Sequence, residues 1–191
     1  MKLTQTVKTG VLFLFLVFAI AAKISPQWMA RLTSTLEPEY SGNSESYTLV
    51  AGSIYDGDTF QVSNGAGEIK VRLCGIDAPE KNQALGTNSR NHLRSLISQG
   101  GGRVTLVKTD TDQYGRTIAE AFIPTGNGEE EIHLNSQMVA DGMAYVYPQY
   151  VNSCPNAEPM RIAERSAKSN AVGVWSNPLS EKPWEYRRRS S

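Results

Sequence analysis

Four groups of side chains in this sequence could carry chemistry: Asp56-Gly57-Asp58-Thr59, Arg72, Asp77-Ala78-Pro79-Glu80 and Asp112-Gln113-Tyr114-Gly115-Arg116. Asp58 and Asp77 are hard oxygen donors, suited to Ca²⁺ or Mg²⁺ and not to thiophilic metals. Glu80 lies three residues beyond Asp77, close enough to aim at a water on the same ion. Arg72 and Arg116 are planar forks that match two phosphate oxygens at once, which lysine does less well. Hydrolysing a phosphodiester calls for cationic groups on the phosphoryl oxygens, a carboxylate to orient or deprotonate water, and usually a metal ion. Together these charged groups form a coherent kit for that reaction.

Taken singly, each group has a plainer reading. Asp-Gly is a common turn, Ala-Pro-Glu can end a strand, and an arginine on a strand is commonly a solvated or paired surface residue. Asp110, Asp112 and Gly115 stand at the first, third and sixth places of an EF-hand loop, but the fifth place is Tyr114 and the twelfth is Ala121. With no bidentate Glu and no flanking helices expected, the EF-hand is rejected. His92 and His133, the only histidines, show no ligand or nucleophile–base spacing; surface or capping roles are expected of them.

The elements that must position these groups can be read from periodicity. Tyr47 to Tyr55 and Thr59 to Ser63 are β-rich, with Asp56-Gly57 as a hairpin signal between them. Glu68 to Gly75 alternates, with Ile69, Val71 and Leu73 on one face and Lys70, Arg72 and Cys74 on the other. That parity lets the core fill behind Arg72. A helix over Leu85 to Ile97 is stopped by Gly100-Gly101-Gly102. Strands over Arg103 to Lys108 and Arg116 to Pro124 follow, then a helix over about Ile132 to Ala140 and a short extended run at Tyr145 to Tyr147. A third helix is expected over about Glu158 to Asn170, and Arg187-Arg188-Arg189 reads as a basic end without fold signal. Three strands, a helix, two strands and two more helices give by pattern alone an α+β, mainly β chain; a five-stranded OB-fold barrel with three helices on it is an arrangement that fits this order.

The strings Asp56-Gly57-Asp58-Thr59, Arg72-Leu73-Cys74-Gly75-Ile76-Asp77-Ala78-Pro79-Glu80 and Tyr114-Gly115-Arg116 resemble, in order and separation, the signature of the staphylococcal nuclease family. The similarity runs from about Tyr47 to Trp175. It implies one Ca²⁺ held by the carboxylates of Asp58 and Asp77 and the backbone carbonyl of Ala78. It makes Glu80 the general base, puts Arg72 and Arg116 on the scissile phosphate, and gives Asp56 the task of orienting the metal ligands. It implies hydrolysis of DNA and RNA to 3′-phosphorylated products. Tyr114 would lie beside the bound nucleotide, with Tyr145, Tyr147 and Tyr150 as alternative base-stacking rings. Two positions depart from the pattern: Ala78 stands where the best-known member has Thr, and Gln113 where it has Lys. A backbone carbonyl survives the first change; the second touches contact with a terminal phosphate. The rival reading is a non-catalytic OB module that binds nucleic acid or a protein, but such a module is expected to lose charged site residues that are all in place here.

Lys+Arg and Asp+Glu both number 19, a balance that argues against a protein coating nucleic acid without specificity. The apolar run Val11 to Ala22, behind Lys2 and Lys8 and closed by Lys23, reads as a signal peptide with a small-residue site at Ala19-Ile20-Ala21. An uncleaved anchor through residues 9–22 is the alternative. Residues 1–22 are thus a signal peptide or membrane anchor, 23–46 a linker, 47–176 the nuclease-like domain and 177–191 a tail. Either reading of the leader sends the domain out of the cytoplasm: secreted, periplasmic or anchored facing outward. Cys74 and Cys154 are compatible with a disulfide or with two buried thiols. Nothing in the sequence asks for more than a monomer.

Overall fold

The computed structural model describes residues 44–126 and 130–190. The leader at 1–22 and most of the linker lie outside the described residues. In chain order the elements are strands β1 (Ser44–Leu49), β2 (Thr59–Ser63), β3 (Glu68–Leu73) and β4 (Ile76–Asp77), then helix α1 (Gly86–Gln99). Strands β5 (Arg103–Thr111), β6 (Thr117–Pro124) and β7 (Glu131–His133) lead into helix α2 (Leu134–Ala140). Strand β8 (Tyr145–Val146) and helices α3 (Ala157–Ser169) and α4 (Pro183–Ser190) complete the described residues.

Five strands close on themselves. β1 lies between β2 and β5, β2 pairs with β3, β5 with β6, and β3 meets β6 in the one parallel pairing of the ring, which removes its open edges. This is the OB-type barrel expected from the sequence. Phe60, Val62, Val71, Leu73, Val104, Leu106, Ala119, Ala121 and Ile123 point inward and are buried. Leu93, Leu96 and Ile97 of α1 and Leu134, Met138 and Val139 of α2 belong to the same core. Asn135 is buried beside them, donating to the Cys74 carbonyl (2.8 Å) and accepting from the Ala121 N–H (3.0 Å). It ties α2 to the site end of the barrel with its polar atoms satisfied.

The structure differs from the sequence expectation at three places. Asp56-Gly57 is not a two-residue hairpin turn. The pairs Thr48↔Ser63 and Leu49↔Val62 leave a connection over residues 50–58, whose tip is closed by the Tyr55 N–H on the Thr59 carbonyl at 2.9 Å. Next, β1 begins at Ser44, inside the expected linker, because residues 44–48 find partners in β5 whatever their own composition. Finally, the described residues hold four helices instead of three, and the fourth lies in the expected tail.

Cys74 and Cys154 form a disulfide, with Cα atoms 6.0 Å apart and a sequence separation of 80. It joins the end of β3 to the segment before α3. Gly75 follows at φ +71, and a Cβ there would lie 2.8 Å from the Cys154 sulfur, so this corner excludes a side chain.

Candidate active site

The barrel brings the charged groups to one end. Asp58 starts the run into β2, Arg72 stands on β3, and the chain turns at Gly75 to deliver Asp77 on β4, with Glu80 just beyond. Thr59 and Arg72 are direct cross-strand partners, which sets Arg72 beside Asp58. The Arg72 guanidinium pairs with Asp58 and, through Nη2, with Asp77 Oδ1 at 2.6 Å. Asp58 Oδ2 accepts from the Ala78 N–H (2.7 Å) and its Oδ1 from the Thr59 hydroxyl (2.9 Å). Asp56 Oδ1 accepts the Asp58 N–H at 3.0 Å, so Asp56 fixes the backbone from which Asp58 projects. A Cβ on Gly57 would collide with Ser89 and lie 2.8 Å from that of Ala78. The Asp-Gly-Asp loop therefore packs hard against α1 and residue 78.

Two arginines share Asp77. Arg187 of α4 donates through Nη2 to Asp77 Oδ2 (2.7 Å) and through Nη1 to both Asp77 Oδ1 (3.1 Å) and Glu80 Oε1 (2.7 Å). One nitrogen thus bridges the two carboxylates. The backbone of Glu80 is held locally by Gln83: its N–H meets Gln83 Oε1 (2.9 Å) and its carbonyl accepts from the Gln83 N–H (2.8 Å). Gly86 packs directly on that carbonyl, where a Cβ would clash.

Charge is compensated inside the cluster. Burial, the largest single influence, would raise the Asp58 carboxyl, but the Arg72 charge together with hydrogen bonds from Asp56, the Ala78 N–H and Arg72 holds it below the usual carboxylate range. Burial raises Asp77, with Arg187 opposing the shift and the Asp58 charge adding to it. Asp56, pushed first by burial and then by the Asp58 charge, moves up to about 8. Burial works against the Arg72 charge, yet Asp58 and Asp77 raise its pKa above the ordinary value.

Arg116 is placed separately. It precedes β6, which runs parallel to β3, and among the described residues no ion pair joins it to Asp58, Asp77 or Glu80. Its Nε pairs with Asp112 Oδ2 at 2.7 Å, while Asp112 Oδ1 accepts the N–H groups of Tyr114 (2.9 Å) and Arg116 (3.0 Å). Asp112 thereby builds the turn and aims the arginine, a role its residue type alone did not announce. Tyr114 is 75% exposed, with the Arg116 guanidinium 5.5 Å from its ring centre. Gln113 lies in the same turn.

The tyrosines separate clearly. Tyr145 is buried edge-on against Trp175 and Trp184, its hydroxyl on the Val174 carbonyl. A ring so enclosed offers no face to a base, which removes it from the stacking candidates. Tyr147 and Tyr150 form an edge-on pair at 4.9 Å, and the face of Tyr147 is covered by Trp184 at 5.1 Å and an interplanar angle of 6°. Trp184 was not picked out from sequence, and Arg187 was read only as part of a basic end without fold signal. Signals existed: Pro183 at the first helical position, Glu185 in the first turn and three arginines in the last are the features of a helix with a favourable dipole.

The histidines depart in part from expectation. His92 pairs with Asp141 (2.7 Å) on the surface. His133 is largely covered and stacked on Phe122 at 4.8 Å, and burial lowers its pKa to about 4. A Glu120 oxygen 3.8 Å away would favour the charged form. That gap is too long for a hydrogen bond, and the Glu120 oxygens already accept from Asn156 at 2.7 and 2.5 Å, so the neutral ring prevails.

Among the described residues no group of three or more His, Cys, Asp or Glu side chains is arranged as a metal cage. The donor set nonetheless fits a hard divalent cation. Two carboxylates converge beside a third, and the position bridging Asp77 and Glu80 already holds a cationic nitrogen.

Comparison with known proteins agrees with this architecture. The family described as staphylococcal nuclease homologue matches residues 70–177, more than half of the chain. The chain is 36% identical to a micrococcal nuclease of Shigella flexneri over 140 residues, covering 72% of this chain and 78% of that protein. It is 35% identical over 147 residues to an uncharacterized endonuclease of Haemophilus influenzae, covering 76% and 75%. It is 33% identical over 123 residues to a probable staphylococcal-like nuclease of rice, covering 64% of this chain and 29% of that one. A barrel of this topology carrying this charged end defines a nuclease of the OB class. The chain belongs to the staphylococcal nuclease family.

Proposed function

We propose that this protein is an exported, calcium-dependent nuclease that hydrolyses DNA and RNA to 3′-phosphorylated products. The observation that carries the reading is the convergence of Asp58, Arg72, Asp77 and Glu80 at one end of the barrel. Asp58, Asp77 and the Ala78 carbonyl would hold the ion, which when bound supplies Lewis-acid stabilisation of phosphoryl charge and a nearby water. Glu80 takes the proton of the attacking water. Arg72, now engaged with Asp58 and Asp77, turns one edge of its fork to a phosphoryl oxygen and stabilises the charge that builds in the transition state. Arg116, held at Nε by Asp112, offers the rest of its guanidinium to the same phosphate. Tyr114 and Tyr150 are the exposed rings available for base stacking, which tolerates any sequence, while the face of Tyr147 is covered by Trp184.

The Cys74–Cys154 disulfide supports export, since such bonds persist in oxidising compartments. Release after cleavage near Ala21 is the favoured route, and a mass matching the uncleaved chain in an exported sample would replace it with anchoring.

The activity is tested by incubating the full chain with plasmid and with RNA, in Ca²⁺ and in chelator. Degradation of both in Ca²⁺ alone, with phosphatase-sensitive 3′ ends, is the expected result. Folded protein that binds Ca²⁺ but leaves both polymers whole would overturn the reading in favour of a binding module.

A further inference from the structure

The C-terminal helix touches the site at two places that a ligand would need. Arg187 lies across Asp77 and Glu80, contributing a cationic nitrogen between them. Trp184, three residues earlier and therefore on the same helical face, lies flat on Tyr147 at 5.1 Å. Gln83, on the loop that follows Glu80, also docks the segment by donating to the Glu181 carbonyl (3.1 Å), and Glu181 in turn braces the helix by pairing with Arg189 through two 3.0 Å bonds. Pro183 is buried at the start of the helix.

We propose that α4 is a built-in plug of the active site, with Arg187 standing in for the cation and Trp184 for a base of the substrate. The inference rests on the cation-site reading given above. Its physical content is competition. Asp77 spends Oδ2 on Arg187 and shares Oδ1 between Arg187 and Arg72. An ion bound by Asp77 must displace at least part of that contact, and a base stacking on the covered face of Tyr147 must displace Trp184. A segment that binds only the empty site weakens every ligand of that site by the fraction of time it is seated. By linkage the ligand loosens the segment in return. Once lifted, Arg187, Arg188 and Arg189 are a short basic arm suited to the phosphates of a nucleic acid strand entering beside it.

The test is calorimetric titration of the full chain with Ca²⁺ alone, comparing native protein, Arg187→Met and Trp184→Ala. It is paired with amide hydrogen exchange over residues 183–190 before and after Ca²⁺. Arg187→Met is expected to bind Ca²⁺ at least about tenfold more tightly than the native chain, within the usual range of site-to-site coupling. Trp184→Ala should shift the same way by less, and Ca²⁺ should speed exchange across the helix in the native chain. If Arg187→Met does not fold, Arg187→Lys, which keeps the charge but loses the two-carboxylate fork, should give a smaller gain in the same direction. Equal affinities with unchanged exchange would overturn the plug and leave the cation site standing. Weaker binding in Arg187→Met would also overturn it, making Arg187 a support of the loaded site. Absence of Ca²⁺ binding in every form would overturn the cation-site reading and the plug with it.

Discussion

Asp77 is approached from two sides, and the two sides are built differently. Arg72 comes from within the barrel, on a strand held by antiparallel β2 on one edge and parallel β6 on the other. Its corner is locked by the Cys74–Cys154 bridge and by Asn135. Arg187 comes from an eight-residue helix secured by side-chain contacts and a few local hydrogen bonds, and its side chain is 39% exposed where that of Arg72 is 14%. The same carboxylate is thus neutralised once by a permanent partner and once by an exchangeable one. The barrel fixes the geometry of the site, and the tail decides how much of it is available.

The largest expected effect lies on the barrel side. Replacing Cys154 by Ser opens a loop of 80 residues, and chain entropy alone gives a loss of about 4–5 kcal/mol in denaturant unfolding. A loss under ~1 kcal/mol would mean that the barrel corner is held by its ladders without the bridge.

Removing Arg72 comes next. Arg72→Met strands Asp58 and Asp77, both buried, without their shared cation. Breaking a buried pair in this way costs about 3–5 kcal/mol. Arg187→Met leaves Arg72 in place and breaks a partly solvated contact, so in metal-free protein it should cost only about 1–2 kcal/mol, in line with a roughly tenfold seating preference. Equal losses for the two variants, read by urea unfolding without metal, would break the contrast between them.

A third prediction concerns acid sensitivity away from the site. His133 has a folded pKa of about 4 against an ordinary value of 6.5. Between those values the unfolded chain binds the extra proton, so the His133 contribution to stability rises with pH across that window and is lost as pH falls from about 6.5 towards 4. Glu120, raised by burial, runs the opposite way: its neutral form is favoured in the fold, so it costs stability as pH rises past 4.5. Asp56 and Asp77, also raised by burial, act in the same sense as Glu120, so His133→Asn should make stability fall more steeply with pH between about 4 and 6.5, in thermal melts taken every half unit of pH. An unchanged profile would show that His133 titrates normally and is not buried neutral.

Much of the site was legible because its parts are written locally. Asp58 stands at a strand start, Arg72 on a strand face opposite core residues, and Asp77 and Glu80 just past a glycine corner. The strands themselves were legible for a similar reason, with β3 carrying a clear alternation, but pattern alone gave only an α+β chain, since closure depends on β3 meeting β6 far along the sequence. What was not legible depends on partners far away in sequence. β4 and β7 have two and three residues, too few for any periodicity, and exist because other strands lie beside them. The Asp56-Gly57 turn was read as a hairpin because dipeptide chemistry is local, whereas the register between β1 and β2 is set by the whole ladder. Tyr145 and Tyr147 differ by two positions in one string, and only packing against Trp175 and Trp184 decides which is enclosed. Arg187 lies 110 residues from Asp77, and the sequence carries its helix signal but not its destination.

On the proposed function the cluster around Asp77 performs the cleavage, with Glu80 as its base. The most direct measurement is the rate of plasmid cleavage in Ca²⁺ by Glu80→Gln beside the native chain, with Ca²⁺ binding verified in both. Loss of a general base should slow the reaction by about 10²–10⁴-fold. Cleavage by Glu80→Gln at the native rate would contradict the account.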